Sequence, residues 1–245
     1  MKKKFEILMA AGLLTGAFFL ARAGAALATS KHTTSSGPCI VLDAGHGGSD
    51  PGKVGCNDAL EKDINLSIVL KLKTLFENKG YRIVLTRSDD TILADENSRS
   101  VKVEDLRNRV KLITDSNPVM TISIHQNSFP DASISGPQVF YFEQSTESAS
   151  IASVLQDTLN NSLNPPKPRV CKSNNDYYIL KKTPTPIVIV ECGFLSNETE
   201  AAELITDAYQ EKLARAIYTG AITYIEGNEN TESTEASTQA PDETQ

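Results

Sequence analysis

The chain has 245 residues, of which 40% are hydrophobic and 22% are charged, and its formal net charge is −7. Such a chain is long enough for one globular domain with a real core and some additional sequence at its ends. The acidic balance argues against nucleic acid or acidic lipid as a partner, because both attract proteins through positive charge.

The first 28 residues have the pattern of an export signal. "MKKK" is basic, residues 7–21 form an apolar run of 15, and "ALA" at 26–28 is a small-x-small cleavage pattern. A membrane span needs roughly 20 residues, and Arg22 ends the run early. We therefore interpret 1–28 as a signal peptide, with a retained N-terminal anchor as the alternative. Either segment would place the domain outside the cytoplasmic membrane.

The opposite end of the chain has a different composition. Residues 227–245 contain five acids, no base and no apolar side chain larger than alanine. Such a segment cannot bury enough surface to offset chain entropy, so we predict a disordered acidic tail over 227–245. A linker at 29–37 and one globular domain at 38–226 complete the predicted organisation. The leader contributes +3 and the tail −5 to the total charge, which leaves −5 for 29–226.

Between these ends, strand-like and helix-like segments alternate. Apolar runs predict strands at 39–45, 81–87, 119–127, 137–143 and 186–194. Apolar residues at helical spacing predict helices at 61–80, 103–116, 147–163 and 199–226, the last as one or two helices. This order predicts an α/β fold: a single three-layer domain with a mostly parallel, twisted sheet and helices on both faces.

Three of the predicted strands end in residues that can bind a metal or move protons. The first strand ends in Asp43, with His46 just beyond it in the glycine-rich stretch "DAGHGGSDPG"; the third ends in His125 and the last in Glu191. In parallel sheets, ligands bind just beyond the carboxyl ends of the strands. One histidine at a strand end is usually structural, but two at the same sheet edge favour a metal site.

Glu61 is the natural third metal ligand, because the first predicted helix begins at Glu61, directly after the loop that contains His46. Hydrolytic zinc sites use three protein ligands, often two histidines and a glutamate, and leave the fourth position open. A glutamate in the first turn of a helix is also a common partner of the helix dipole. We predict one Zn²⁺ per chain, bound by His46, Glu61 and His125.

Glu191 lies within the apolar run "PIVIVECGF", where a carboxylate is costly unless it is paired or functional. One alternative is a buried salt bridge with Arg87 or Arg109. The other is a catalytic role, in which Glu191 acts as general base and acid for a water activated by the metal. Asp43 is a candidate partner that orients the His46 ring, with a turn-stabilising role as the alternative.

The chain has four cysteines, Cys39, Cys56, Cys171 and Cys192, and no C-x-x-C motif. A cysteine zinc site is therefore not expected, and the sequence leaves all pairings open. Cys39 and Cys192 lie in strand-like apolar surroundings and are interpreted as small buried hydrophobic residues.

The stretches "IVLDAGHGGSDPG", "EKDINL", "TISIHQNS" and "VIVECGFLSN" resemble the four motif blocks of zinc-dependent N-acetylmuramoyl-L-alanine amidases, over most of 39–225. The resemblance implies that His46, Glu61 and His125 bind zinc and that Glu191 is catalytic. Asn127, in the same block as His125, and Arg109 become candidates for contacts behind the metal or with substrate. Gln126 and Cys192 depart from the residues usual in these blocks.

The stretches "VEDLRNRVKLI", "FYFE" and "YQEKLARAIYTGAITYI" look most like the CwlD-type, germination-specific branch. That branch implies a role in spore cortex peptidoglycan and a location in the cell wall or the space between the forespore membranes. Membrane anchoring through the N-terminus and a protein regulator stay open. Two rivals are a zinc metallopeptidase acting on stem peptides and a non-catalytic wall-binding module; the absence of H-E-x-x-H weighs against the common zincin class.

Overall fold

The structure is a computed structural model that describes residues 37–95 and 97–238, and for 229–238 only the backbone. The predicted signal peptide at 1–28 and nearly all of the linker at 29–37 lie outside these residues. The strands are β1 (Cys39–Ala44), β2 (Arg82–Leu85), β3 (Met120–Asn127), β4 (Gln138–Tyr141), β5 (Lys172–Ser173) and β6 (Ile187–Phe194). The helices are α1 (Glu61–Lys79), α2 (Val101–Ser116), α3 (Thr146–Leu163), α4 (Tyr178–Lys182), α5 (Glu198–Leu204) and α6 (Asp207–Thr238).

The strands of the described chain form a six-stranded sheet in the order β2-β1-β3-β6-β4-β5. All neighbours pair in parallel except β4 and β6, which are antiparallel. The predicted α/β fold with a mostly parallel sheet is confirmed. The sequence did not indicate β5 or α4, because a two-residue strand and a five-residue helix carry too little periodicity to stand out from a loop.

The two faces of the sheet are covered by different helices. One face packs against α1, α3 and α6 in a large core that includes Ile40, Leu42, Ile122 and Val190. The opposite face packs against α2 and α4 in a smaller core, to which Ile113, Ile179 and Leu180 belong. Because side chains alternate along a strand, the residues of β1 divide by parity between the two cores, with Cys39 and Val41 in the smaller core and Ile40 and Leu42 in the larger one.

Strand register places the polar residues of the sheet together on the smaller-core face. Asp43 pairs with Ser123, and His125 pairs with Glu191. Paired residues point to the same face, and these positions share the parity of Val41 and Ile189 in the smaller core. The face under α2 and α4 is therefore apolar at its beginning and polar toward the carboxyl ends of β1, β3 and β6.

The predicted disordered tail departs from the structure over 227–238, because α6 continues to Thr238. The helix begins against the core, and extending a helix that already exists costs far less than nucleating one. The first proline of the tail, Pro241, lies beyond the helix. Residues 239–245 of the predicted tail lie outside the described residues.

We expect a chain that ends at Glu226 to unfold at the same temperature as the full-length protein. Gly227 and Asn228 are exposed, and the segment beyond them carries no large apolar side chain that could anchor it. Glu226 itself should stay, because its carboxylate lies 3.0 Å from Lys79 Nζ. Thermal unfolding followed by circular dichroism tests this. A drop of more than about 4 °C, roughly 1 kcal/mol or more for this size, would mean that 227–238 pack on the domain.

Candidate active site

The loop after β1 presents His46 to the sheet edge in a left-handed backbone conformation. The φ angle of His46 is +63°, which is uncommon for a residue other than glycine. Arg109 Nη2 donates to the His46 carbonyl oxygen over 2.7 Å and so holds this conformation from below. The strain of the loop is offset by a buried hydrogen bond at the residue that carries it.

His46, Glu61 and His125 converge as predicted. Glu61 Oε1 lies 2.9 Å from His125 Nδ1 and 3.3 Å from His46 Nε2. One donor atom from each of the three residues lies within 4.8 Å of the others. Among the residues that the structure describes, this is the group of histidine, cysteine and carboxylate side chains able to hold a metal ion. The ring centroids of the two histidines are 5.1 Å apart.

Two glycines make room for these ligands. A Cβ atom on Gly45 would lie 2.2 Å from His125 Cε1, and one on Gly52 would lie 2.6 Å from Glu61 Oε2. Gly52 also has a φ angle of +70°. At these two positions the space is taken by the ligands themselves.

Backbone amides from two other segments orient the Glu61 carboxylate. Oε2 accepts from the Lys53 amide over 2.8 Å, and Oε1 accepts from the Gln126 amide over 3.0 Å. Burial would raise the pKa of Glu61, but hydrogen bonds to His125 and His46 outweigh burial and hold this pKa well below its usual range. Glu61 is therefore ionised, as a metal ligand must be.

Asp50, and not Asp43, orients the His46 ring. His46 Nδ1 lies 2.8 Å from Asp50 Oδ2, and the other Asp50 oxygen accepts from the Gly52 amide over 3.1 Å. The prediction that Asp43 holds this ring is therefore wrong. Asp50 stands four residues after His46, and only the turn that brings the loop back on itself reveals the pairing. A carboxylate on Nδ1 leaves Nε2 for the metal.

Asp43 instead forms a buried ion pair with Arg109. Its Oδ1 lies 2.6 Å from Arg109 Nη1 and accepts from the Thr86 hydroxyl over 2.7 Å, while its Oδ2 accepts from the Ser123 hydroxyl. Burial works against ionisation, but Arg109 outweighs it and lowers the pKa of Asp43 to about 2. The pair joins α2 to the end of β1, because Arg109 also donates to the Ala44 carbonyl over 2.7 Å.

Neither arginine that was considered as a partner of Glu191 reaches it. Arg109 is committed to Asp43 and to Asp105, at 2.7 Å from Nε. Arg87 donates to four carbonyl oxygens, those of Ala44 (3.0 Å), Gly45 (3.1 Å), Lys62 (2.7 Å) and Asp89 (3.0 Å). The salt-bridge alternative for Glu191 is therefore wrong, and both guanidinium groups support the loop that carries His46.

Glu191 is buried without a partner for one of its oxygens. It lies beside His125 in the sheet and is 7% exposed, and its Oε2 has no hydrogen-bond partner among the described residues. Burial, with Glu61 as a further contribution, raises the pKa of Glu191 to about 7. A carboxyl group with this pKa beside a metal site can both accept and donate a proton near neutral pH.

Asn127 and Gln126, at the end of β3, form hydrogen bonds within the protein. Asn127 ends β3, and its side-chain oxygen accepts from the Ser128 amide over 2.8 Å. Gln126 is buried and donates to Asn65 Oδ1 over 3.0 Å, which explains why a polar side chain is accommodated there. The four cysteines are free thiols, and Cys39 and Cys192 are buried as expected.

A cleft runs over the site between α2 and α4. A small cavity of about 50 Å³ is lined by His46 and His125 at its base, by Lys102, Asp105 and Leu106 on one side and by Ile179 on the other, with Asp43, Gly45, Asp50 and Arg109 completing it. A larger open hollow of about 570 Å³, next to Arg82 and Leu112, lies away from the histidines and offers no comparable set of ligands.

A mostly parallel α/β sheet with a two-histidine, one-glutamate donor set and a second buried glutamate at its carboxyl edge is the arrangement expected of a hydrolase. Residues 40–223 match Amidase_3, described as N-acetylmuramoyl-L-alanine amidase. The match spans most of the chain, and this protein belongs to the N-acetylmuramoyl-L-alanine amidase family.

Individual relatives agree with this assignment. The germination-specific N-acetylmuramoyl-L-alanine amidase of Bacillus subtilis is 39% identical over 78% of this chain and 81% of the relative. The CwlD amidase of Clostridioides difficile, solved in complex with the GerS lipoprotein, is 41% identical with a TM-score of 0.75, over 77% of this chain and 98% of that one. AmiA of Escherichia coli is 27% identical over 78% of this chain and 77% of its own length.

We expect Asp43→Asn to lower the free energy of unfolding by about 3 kcal/mol, because it breaks a buried ion pair and leaves Arg109 with Asp105 as its remaining carboxylate partner. Asp115→Asn, which removes an exposed pair with Lys111, is the control and should cost less than about 0.5 kcal/mol. Urea unfolding measures both. The stabilisation from ionised Asp43 is complete above its unfolded pKa of about 4 and is lost as pH falls toward 2. Equal losses for the two variants would show that the buried pair does not hold the fold.

Proposed function

We propose that this protein hydrolyses the amide bond between N-acetylmuramic acid and L-alanine in peptidoglycan, with one Zn²⁺ bound by His46, Glu61 and His125. The observation that carries the proposal is Glu191, a buried carboxylate with an unpartnered oxygen next to a three-residue donor set. Such an arrangement has no structural use that the described contacts supply, whereas amide hydrolysis needs both parts.

The donor set fits zinc better than other common metals. Two imidazoles and one carboxylate are ligands that zinc accepts, and three protein ligands leave a position for substrate or water. A calcium or magnesium site would need mostly oxygen ligands. When bound there, zinc would act as a Lewis acid toward the substrate carbonyl and lower the pKa of the attacking water.

Several side chains around the metal position orient the two histidines. Asp50 holds Nδ1 of His46 and so presents Nε2 to the metal position. Arg109 and Arg87 fix the carbonyl oxygens of 44–46 and thereby the direction of His46. Asn127 ends the strand that carries His125.

Glu191 is the proton carrier. Its pKa of about 7 lets the carboxylate take a proton from the attacking water and release that proton to the leaving amine of L-alanine. Glu61, whose pKa is lowered, cannot exchange roles with it, because an ionised ligand gives up its proton-accepting lone pairs to the metal. The two glutamates therefore have separate functions, set by their surroundings.

The similarity to a germination-specific amidase supports a role in spore cortex peptidoglycan, and thus an exported protein. The relative solved with a lipoprotein supports a protein partner for this chain as well. Within the described residues, no helix combines the length and apolar character needed to cross a membrane. For the N-terminal segment 1–28, cleavage as a signal peptide and retention as an anchor both stay open.

The purified protein, mature from residue 29, should carry about one equivalent of zinc per chain by atomic emission analysis. His46→Ala and His125→Ala should each lose most of the metal, because two protein ligands seldom hold zinc where three are needed. Lys73→Gln, a substitution in an exposed pair on α1, serves as the control and should retain it. Full zinc occupancy in both histidine variants would show that the metal is bound elsewhere.

Glu191→Gln should keep its zinc and its melting temperature but lose about 100-fold or more in rate. The assay incubates cortex and vegetative peptidoglycan with the zinc-loaded protein and reads the fragments by mass spectrometry. Free stem peptides with an N-terminal alanine, absent with Glu191→Gln, are the expected products. Cleavage only within the stem peptide would favour the metallopeptidase, and no cleavage by a zinc-loaded protein supplied with its lipoprotein partner would favour a binding module.

A further inference from the structure

The two walls of the cleft carry opposite charge. The segment 165–182, which includes β5 and α4, has five bases and one acid, whereas the described residues of the segment 89–104 include four acids and two bases, one of which, Lys102, lines the cavity. Ile179 of the first segment lines the cavity at the histidines, and Thr91 and Ile92 of the second lie against Gly47 and Gly48. A substrate that spans the cleft therefore meets a positive surface on the β5 side and a negative one on the β2 side.

The positive wall lies on the Glu191 side of the site. Gln138 of β4 is the sheet partner of Glu191, and its side chain donates to the Val170 carbonyl over 2.9 Å. The segment around Val170 is thus held one strand away from the catalytic glutamate. Val170 itself is 72% exposed, so this segment is accessible to a ligand.

Sheet register places Lys172 on the same face as Glu191. Phe140 pairs with Ile189 on one side and with Lys172 on the other, and Ile189 shares the parity of Glu191. Lys172 is two strands across and two residues back from Glu191. With strands about 4.8 Å apart and about 3.3 Å per residue, the two Cα atoms are about 12 Å apart.

The surface between Glu191 and Lys172 is aromatic. The Tyr177 ring packs edge-on against Phe140, with centroids 5.8 Å apart, and Tyr177 is 36% exposed. Burial and the nearby Glu191 and Glu61 raise the pKa of Tyr177 to about 12, so its hydroxyl remains a hydrogen-bond donor. An extended peptide crosses about 12 Å in three to four residues, which is the length of a stem peptide segment.

The lysines of this wall are not neutralised by the protein. Lys62, Lys71, Lys73, Lys79 and Lys111 each pair with a carboxylate. Within the described residues, no ion pair of 4.0 Å or less reaches Lys172, Lys181 or Lys182, and all three are exposed. Unpaired positive charge next to a catalytic cleft, in a protein of net negative charge, is available for an anionic ligand.

We infer that Lys172 is a specificity-determining residue that binds a free carboxylate of the stem peptide, with the peptide running from Glu191 over Tyr177 toward β5. This inference rests on the proposed function and adds to it the direction of the substrate. The glycan strand then lies toward the β2 side, where the acidic segment 89–104 repels the peptide carboxylates. Amidation of those carboxylates removes the contact.

The test measures binding, so that it does not depend on turnover. Zinc-loaded Glu191→Gln protein, alone and combined with Lys172→Gln, is titrated with a muropeptide bearing free carboxylates and with its amidated counterpart. We expect Lys172→Gln to weaken binding of the acidic muropeptide about three- to fivefold and to leave the amidated one within twofold. The difference should shrink at high salt. Lys73→Gln in the same background is the control and should change neither.

Equal affinity of the parent protein for both muropeptides, or equal weakening of both by Lys172→Gln, would overturn the inference. A melting temperature unchanged by Lys172→Gln excludes misfolding as the cause of an effect. The proposed function is tested apart from this: protein with Glu191 intact either releases alanine-terminated peptide from the acidic muropeptide or does not. If only the release of peptide is absent, the proposed amidase activity is wrong. If only the difference in affinity is absent, the proposed role of Lys172 is wrong.

Discussion

The buried ion pair between Asp43 and Arg109 is the contact on which the active site depends. It joins the end of β1 to α2, and the same guanidinium group binds the carbonyl oxygens of Ala44 and His46. A buried pair of this kind contributes little net stability compared with an apolar replacement, but removing one partner is costly. Its value here is therefore positional: it fixes a strained loop whose only chemical task is to point the His46 ring toward Glu61.

Two buried glutamates a few ångströms from the same histidine have opposite protonation behaviour. Glu61 is surrounded by donors, two backbone amides and two imidazole rings, which stabilise its charge. Glu191 is buried between His125 and Gln138 in the sheet and has an oxygen without a partner among the described residues, and burial destabilises its charge. Since the side chains are chemically identical, the environment alone lowers the pKa of Glu61 and raises the pKa of Glu191.

The fold explains why these groups meet. The smaller-core face of the sheet carries its apolar residues at the beginning of the strands and its polar residues at the end. Helices α2 and α4 cover the apolar part and leave a cleft over the polar part, with Ile179 and Leu106 at its sides. The division of charge between the two walls follows from the segments that flank this cleft, one after β2 and one around β5.

By itself, the sequence determined the elements and the reacting groups. Apolar runs and helical spacing specify the strands and long helices. His46, His125 and Glu191 stand out at or just beyond strand ends, and Glu61 stands out where the first helix begins. It did not determine which carboxylate serves which partner. Asp43 and Asp50 stand in the same glycine-rich stretch. Asp43 lies on the face of β1 that α2 covers and pairs with Arg109, whereas the turn after β1 brings Asp50 back to the His46 ring. Nor did it reveal β5 and α4, which are too short to show a periodicity, or the helical continuation of α6, which extends a helix that already exists. Side-chain pairing in a folded protein is set by distances across the sheet, and these exist only once the tertiary structure has formed.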